Sequence, residues 1–259
     1  MERTRRREFP YVYSPGKKLF QIVVKLSDAP GSLGSVLELL SKGVNLLGSV
    51  SYTLGDGKAM WSGFGEALGE TASADAVSER LKKSKAVMDC EVLESVDGLL
   101  VDSFHQGIDT ESGEAMMLIP RHGISHMFDQ VVRQFGSGGE VLLYRQGTML
   151  GTDAAKWFVK LLGPQMATKM VATLRPILSA SGWGVPTRVN ESPKGTYTLR
   201  IDDCFECSHG DGATKSCSFL RGYLEGSATA VIGTPMTCSE SKCRRRGERA
   251  CEFVIGPKL

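Results

Sequence analysis

Residues 19–26, LFQIVVKL, are an apolar, β-branched run that predicts a strand. The next apolar positions, Leu33, Val36, Leu37 and Leu40, fall at helical spacing and stop at Gly43. Two further stretches, 46–54 (LLGSVSYTL) and 59–64 (AMWSGF), flank GDGK, a hairpin turn signal. Ala74, Val77 and Leu81 mark a second helix, and CEVLESV at 90–96 alternates as a closing strand. The order β-α-β-β-α-β is the ferredoxin-like, split βαβ plan, and it is expected over residues 19–97.

Beyond it the pattern changes repeatedly. GIDTESGE at 107–114 reads as a turn or linker, and MMLIPR at 116–121 as a strand. Ile124, Met127, Phe128, Val131 and Val132 return to helical spacing. EVLLYRQGTMLG at 140–151 predicts a strand running into a glycine-spaced turn, followed by an apolar helical face at Trp157, Phe158, Leu161 and Leu162. Another helix is expected over 165–181, kinked at Pro176. YTLRIDDCF at 197–205 alternates as a strand; Leu220, Tyr223, Leu224, Ala228 and Val231 form a helical stripe. TPMTCSE and ACEFVI then read as the last two strands. Mixed helices and strands with antiparallel pairing predict a larger α+β domain at 98–257.

Composition adds few constraints. Of 259 residues, 41% are apolar and 23% charged, and the net charge is +2. That balance does not point to nucleic acid. Arg3, Arg5, Arg6 and Arg7 open the chain, but no apolar core of a secretory signal follows, so residues 1–18 read as a flexible basic arm. No apolar run approaches the roughly 18 residues of a membrane span. A soluble, cytoplasmic protein is expected.

DAPGSL at 28–33, with the helix after it and GVNLL at 43–47, resembles an ACT domain. Pro30 and Gly31 make a tight turn that presents backbone N–H groups at a helix N-terminus, an arrangement suited to a carboxylate. The resemblance implies a ligand-sensing module that pairs side by side as a homodimer. It would bind an amino acid through Asp28, Gly31, Ser32, Leu33 and Asn45. Leu26 stands where amino-acid-binding members often carry a polar residue.

Cysteine is concentrated at the other end. Of seven cysteines, at 90, 204, 207, 217, 238, 243 and 251, six lie in the last 56 positions. An odd, clustered set without a secretory signal points to metal or redox work in a reducing compartment. Zinc needs four donors at tetrahedral corners. Glu240 and Cys243 are three apart, and RRRGERA with its turning Gly247 returns the chain to Cys251. Cys217, at the start of a helix, is the natural fourth ligand. Arg244, Arg245, Arg246 and Arg249 would offset the excess negative charge of such a site.

CSFLRGYLEG at 217–226 and E-x2-C-x7-C at 240–251, together with YRQGTMLG at 144–151, resemble the 4-vinyl reductase domain. The resemblance implies zinc held by Cys217, Glu240, Cys243 and Cys251. It also implies a small hydrophobic molecule in an enclosed pocket, for which Trp183, Tyr197, Phe205, Phe219 and Tyr223 are candidates. Cys204 and Cys207, followed by His209, form a C-x-x-C that needs a bend before its thiols can converge, because residues three apart on a strand face opposite sides. With Cys238 they are the redox candidates.

These features favour a non-enzymatic regulatory or sensor protein that binds small ligands and acts through a protein partner. A cysteine-based redox switch is the alternative. A reductase of tetrapyrrole vinyl groups ranks lower, since no G-x-G-x-x-G follows a strand and the histidines are scattered.

Overall fold

The computed structural model describes residues 10–69, 72–110, 113–163, 176–192, 195–208 and 216–258. The chain divides into two compact units, residues 1–117 and 118–259.

In the first unit, β1 (Tyr11–Tyr13) precedes β2 (Leu19–Ser27), α1 (Ser32–Leu40), β3 (Val44–Gly55), β4 (Lys58–Ala67), α2 (Ala74–Leu81) and β5 (Val87–Glu94). The four longer strands form an antiparallel sheet in the order β3-β4-β2-β5, the split βαβ topology expected of residues 19–97. Asp56 and Gly57 both have positive φ (51° and 69°), the two left-handed positions of a tight hairpin turn between β3 and β4. Phe20, Ile22, Val24 and Leu26 of β2 meet Val36 and Leu40 of α1 and Val77 and Leu81 of α2. The opposite face of β2 is covered too, which explains its unbroken apolar sequence. There Leu19 and Phe64 pack with Leu100 and Val12.

That second layer corrects two expectations. Residues 11–13 are a strand rather than part of a flexible arm, pairing antiparallel with β6 (Leu99–Val101). The boundary also falls later than residue 97, since residues 98–117 fold with the first unit. A short hairpin, β7 (Ile108–Asp109) with β8 (Ala115–Met116), ends it. The strand expected over 116–121 is therefore only its first residue, because Pro120 opens a helix instead.

A polar knot holds the layer down. The buried Gln21 amide donates to Asp102 Oδ1, and Gln21 Oε1 accepts the Ser103 N–H (3.3 Å). Asp102 also accepts the Phe104 and His105 N–H groups (3.1 Å each) and contacts His105 Nδ1 (2.8 Å). Burial raises the Asp102 pKa, but the His105 N–H, the Gln21 amide and the His105 ring outweigh it and hold the carboxyl below its ordinary range. A carboxyl lowered on folding stabilises above its unfolded pKa, and that stability is lost as pH falls through the folded value. The first unit should therefore weaken as pH drops below about 4. Asp102→Asn should flatten this acid limb in urea titrations run across that range. The slope should shrink rather than vanish, because Glu94 is also lowered: burial opposes the shift, but the Ala74 N–H and Lys18 outweigh it.

The second unit contains α3 (Arg121–Phe135), α4 (Ser137–Leu162), β9 (Val185–Glu191), β10 (Tyr197–Asp202), α5 (Ser218–Ile232), β11 (Met236–Lys242) and β12 (Cys251–Pro257). Its antiparallel sheet runs β11-β12-β10-β9. Residues 176–180 are helical, starting at Pro176; most of the helix expected over 165–181 lies outside the described residues.

Residues 140–151 are helix, not the expected strand and turn. The apolar run there misleads because Val141 and Leu142 are exposed, at 54% and 45%. The buried positions recur every fourth residue: Gly139, Leu143, Gly147, Gly151 and Ala155. Gly147 and Gly151 face Gly222 and Gly226 of α5, where the two helices run parallel with their backbones almost touching. A Cβ at Gly147 would lie 2.0 Å from the Phe219 carbonyl oxygen, and one at Gly222 would lie 2.0 Å from that of Tyr144. The glycines are helix-packing surfaces rather than turn residues.

Candidate metal centre

The sheet register assembles the cysteines. Cys251 opens β12 opposite Ile201 of β10, so the chain leaving β10 emerges beside it. That chain bends at once: β10 stops at Asp202, Asp203 takes a left-handed φ of 51°, and Phe205–Cys207 form a 3₁₀ turn. Cys243 follows the other strand of the terminal hairpin, after β11. The return runs through a 3₁₀ turn at Arg244–Arg246 and Gly247 with φ 88°, so Cys243 and Cys251 share one end of the hairpin, as the spacing predicts. Cys217 directly precedes α5.

Five sulfurs and a carboxylate converge there. Cys207 Sγ lies 3.2 Å from Cys217 Sγ, 3.5 Å from Cys251 Sγ and 3.8 Å from Cys243 Sγ. Cys217 Sγ lies 3.7 Å from Cys251 Sγ, and 3.8 Å from both Cys243 and Cys204. A tetrahedral ion with bonds of about 2.3 Å to sulfur requires sulfurs about 3.8 Å apart. The spacing and the soft donors fit such an ion, and the cluster could hold a metal. Donor atoms of Cys217, Glu240, Cys243 and Cys251 lie within 4.8 Å of one another, as do those of Cys204, Cys207, Cys217 and Cys251. The expected four donors are thus brought together. The C-x-x-C joins them because of the bend after β10, which strand alternation alone does not reveal.

Glu240 is buried beside this cluster. Its Oε2 accepts the Cys217 N–H (3.1 Å), and Arg246 Nη2 stands 3.8 Å away. Its Oε1 is buried with no hydrogen-bond partner among the described residues. Burial raises the Glu240 pKa, against the pull of the Cys217 N–H. Cys207 goes the other way: the neighbouring thiols, Cys204 foremost, hold it far below the ordinary thiol range. The thiolate is the form that binds metal.

Two features lie outside the sequence reading. Cys217 makes no side-chain cap for α5. Glu206, buried in the turn between the paired cysteines, accepts the Phe219 (3.0 Å) and Leu220 (2.8 Å) N–H groups instead. These are donors a helix leaves unpaired at its start. Burial pushes the Glu206 pKa up to about 8. The second feature concerns the arginine run. Arg245 is itself buried and pairs with Asp129 of α3, while also donating to the Glu206 carbonyl and to Ser125 Oγ (3.1 Å). It clamps the hairpin turn to α3 rather than shielding the thiols. Arg244 stands 3.9 Å from Asp203, leaving Arg246 as the arginine paired with Glu240.

The other candidates separate. Cys238 is buried on β11 outside the sulfur cluster; burial and then Glu225 raise its pKa, and its N–H donates to Glu225 Oε2 (2.9 Å). Trp183, Phe205, Phe219 and Tyr223 form one aromatic group with Phe128. Trp183 lies 4.5 Å from Tyr223 and 5.1 Å from Phe205, and Phe128 lies 4.9 Å from Phe219, between ring centroids. Tyr197 begins β10 opposite Ile255 and packs on the same core. His209 lies outside the described residues. In the first unit, Gly31 is the N-cap of α1 with φ 89°. Ser32 Oγ hydrogen-bonds Ser27 Oγ (2.8 Å), and Asp28 Oδ2 accepts from Thr53 (3.4 Å). Leu33 packs on the core, and Asn45 is exposed on β3 opposite Glu66.

Residues 197–257 match the 4-vinyl reductase (V-4-R) domain. All six converging donors lie within this matched segment. An uncharacterized protein of Methanocaldococcus jannaschii is 22% identical over 121 residues, which is 46% of this chain and 66% of that relative. The match therefore spans slightly less than two thirds of the relative's length. Among solved structures, the phenol-responsive sensory domain of the transcription activator PoxR, with phenol, aligns with a TM-score of 0.47 at 16% identity. The alignment covers 56% of this chain and 78% of that one. A vinyl-4-reductase family protein from M. jannaschii aligns with a TM-score of 0.38 at 17% identity, over 56% and 85% of the two chains. No helix among the described residues is long and apolar enough to cross a membrane.

Proposed function

We propose that the protein is a non-enzymatic sensor whose 4-vinyl reductase-type segment is pinned by a structural metal ion, zinc by donor type, and binds a small hydrophobic molecule. The observation that carries this reading is the convergence of Cys217, Cys243 and Cys251 at tetrahedral spacing inside a segment that matches the 4-vinyl reductase domain. The family resemblance assigns the fourth corner to Glu240, whose Oε1 is buried without a partner among the described residues. The fold brings Cys207 to the same place. A shell closed by four protein donors leaves no open position for chemistry, so the ion's role is to tie the hairpin, the β10 turn and α5 together. The aromatic group around Trp183 abuts that turn through Phe205, which makes it the favoured place for an apolar ligand.

The first unit's βαββαβ topology and its left-handed Gly31 support an ACT-type module. In this reading Asp28, Gly31, Ser32, Leu33 and Asn45 surround an amino-acid ligand, and the unit mediates a homodimer. Output then passes to a protein partner in the cytoplasm.

Metal content and free thiols of the full chain, purified reduced and without chelator, test the central claim. About one zinc per chain is expected. A metal-free protein whose thiols pair reversibly would overturn the metal reading and favour a redox switch. A thermal-shift screen of aromatic and aliphatic compounds against free amino acids then tests the ligand classes. Stabilisation should saturate with concentration for a true ligand.

A further inference from the structure

We infer that Cys207, rather than Glu240, supplies the fourth corner of the metal shell, so that the ion is held by four thiolates. The inference rests on the metal reading above and concerns only which donor completes the shell.

The distances separate the two candidates. Cys207 Sγ lies 3.2–3.8 Å from all three of Cys217, Cys243 and Cys251. These are the edges of a sulfur tetrahedron around one ion, at or a few tenths of an ångström short of the ideal edge of about 3.8 Å. Glu240 already has work outside the shell: one oxygen accepts the Cys217 N–H, and Arg246 stands against the same oxygen. A carboxylate so placed orients a ligand from outside, as outer partners of metal ligands commonly do. Cys204 is the remaining thiol. Its sulfur is 3.8 Å from Cys217 and groups with Cys207, Cys217 and Cys251 but not with Cys243, so it stands at the edge of the tetrahedron.

The assignment gives the C-x-x-C turn a purpose. Phe205 and Glu206 lie between Cys204 and Cys207. Glu206 caps α5 and Phe205 touches Trp183, Phe128 and Phe219. A metal bond to Cys207 would therefore fix the turn that carries both the helix cap and one wall of the aromatic group.

Cobalt(II) bound to the metal-free, reduced full chain supplies the test, because sulfur-to-cobalt charge transfer grows with the number of thiolates. Cys207→Ser should lose about a quarter of that intensity, and its zinc affinity should fall more than the roughly 10–100-fold typical of removing an outer partner. Glu240→Gln and Cys204→Ser should keep the wild-type intensity. X-ray absorption of the zinc-loaded wild type should show four sulfurs, a reading independent of how any variant folds. Three sulfurs and one oxygen, with the charge-transfer intensity unchanged in Cys207→Ser, would overturn the inference while leaving the metal centre intact. A wild type that binds neither ion would overturn both.

Discussion

Gly222→Ala is expected to destabilise the second unit by about 3 kcal/mol or more, at the upper end of what overpacking costs. The sign runs against helix propensity, since alanine in a helix interior is favoured over glycine by about 1 kcal/mol. Packing wins because the new methyl would sit 2.0 Å from the Tyr144 carbonyl oxygen and 3.0 Å from the Thr148 nitrogen. Both are backbone atoms of α4, so no rotamer change relieves the contact; the helices must part. Gly147 and Gly151 face α5 equally closely, and Ser227 Oγ donates to the Gly151 carbonyl (3.1 Å) across the same seam. The control is Gly138→Ala, on the same helix with open space around it. It should leave stability within about 1 kcal/mol of wild type, the scale of propensity alone. Urea titration of the three proteins followed by circular dichroism checks the contrast. Equal effects at Gly222 and Gly138 would mean that α4 and α5 are not in backbone contact.

That seam also shows where the sequence is legible and where it is not. The βαββαβ plan can be read because its helices and strands each bury one clear face, and because Asp-Gly at 56–57 announces its hairpin. YRQGTMLG cannot, because its buried stripe is made of glycines. Residues without side chains carry no hydrophobic period, whereas the exposed Val141 and Leu142 imitate a strand. The same holds at the metal centre. Cys217, Glu240, Cys243 and Cys251 can be grouped from the sequence, since a hairpin and a helix start are local features. Cys207 reaches them only through the register of β10 against β12 and the left-handed Asp203, neither of which is a local pattern. Arg245 reads as one more cation near the thiols, and only its long-range pairing with Asp129 shows it to be a buried clamp.

Cys217→Ser is expected to have the largest effect of any cysteine substitution. Its sulfur belongs to both overlapping donor sets, and its N–H is held by Glu240 at the start of α5. Serine preserves the backbone and the helix start, so what is lost is one thiolate from the shell. The remaining thiols then stay crowded around a weakened ion in a buried site, where like charges oppose one another. Metal affinity should fall by more than about 100-fold, beyond the range seen for outer partners. Loss of the metal should also cost stability, because an ion that binds only the folded state stabilises it by mass action. For a shortfall of about 4 kcal/mol, the second unit's Tm should drop by roughly 8–16 °C. Calorimetry of the full chain, with zinc measured on the same samples, separates this from a general defect. The expected result is a lowered second transition with the first unit's transition unmoved, and treatment of wild type with a strong chelator should reproduce it. Cys238→Ser should lower metal content not at all, because its sulfur lies outside the cluster. If Cys217→Ser keeps full zinc and an unchanged Tm, the sulfur cluster is a packed thiol core and not a metal centre.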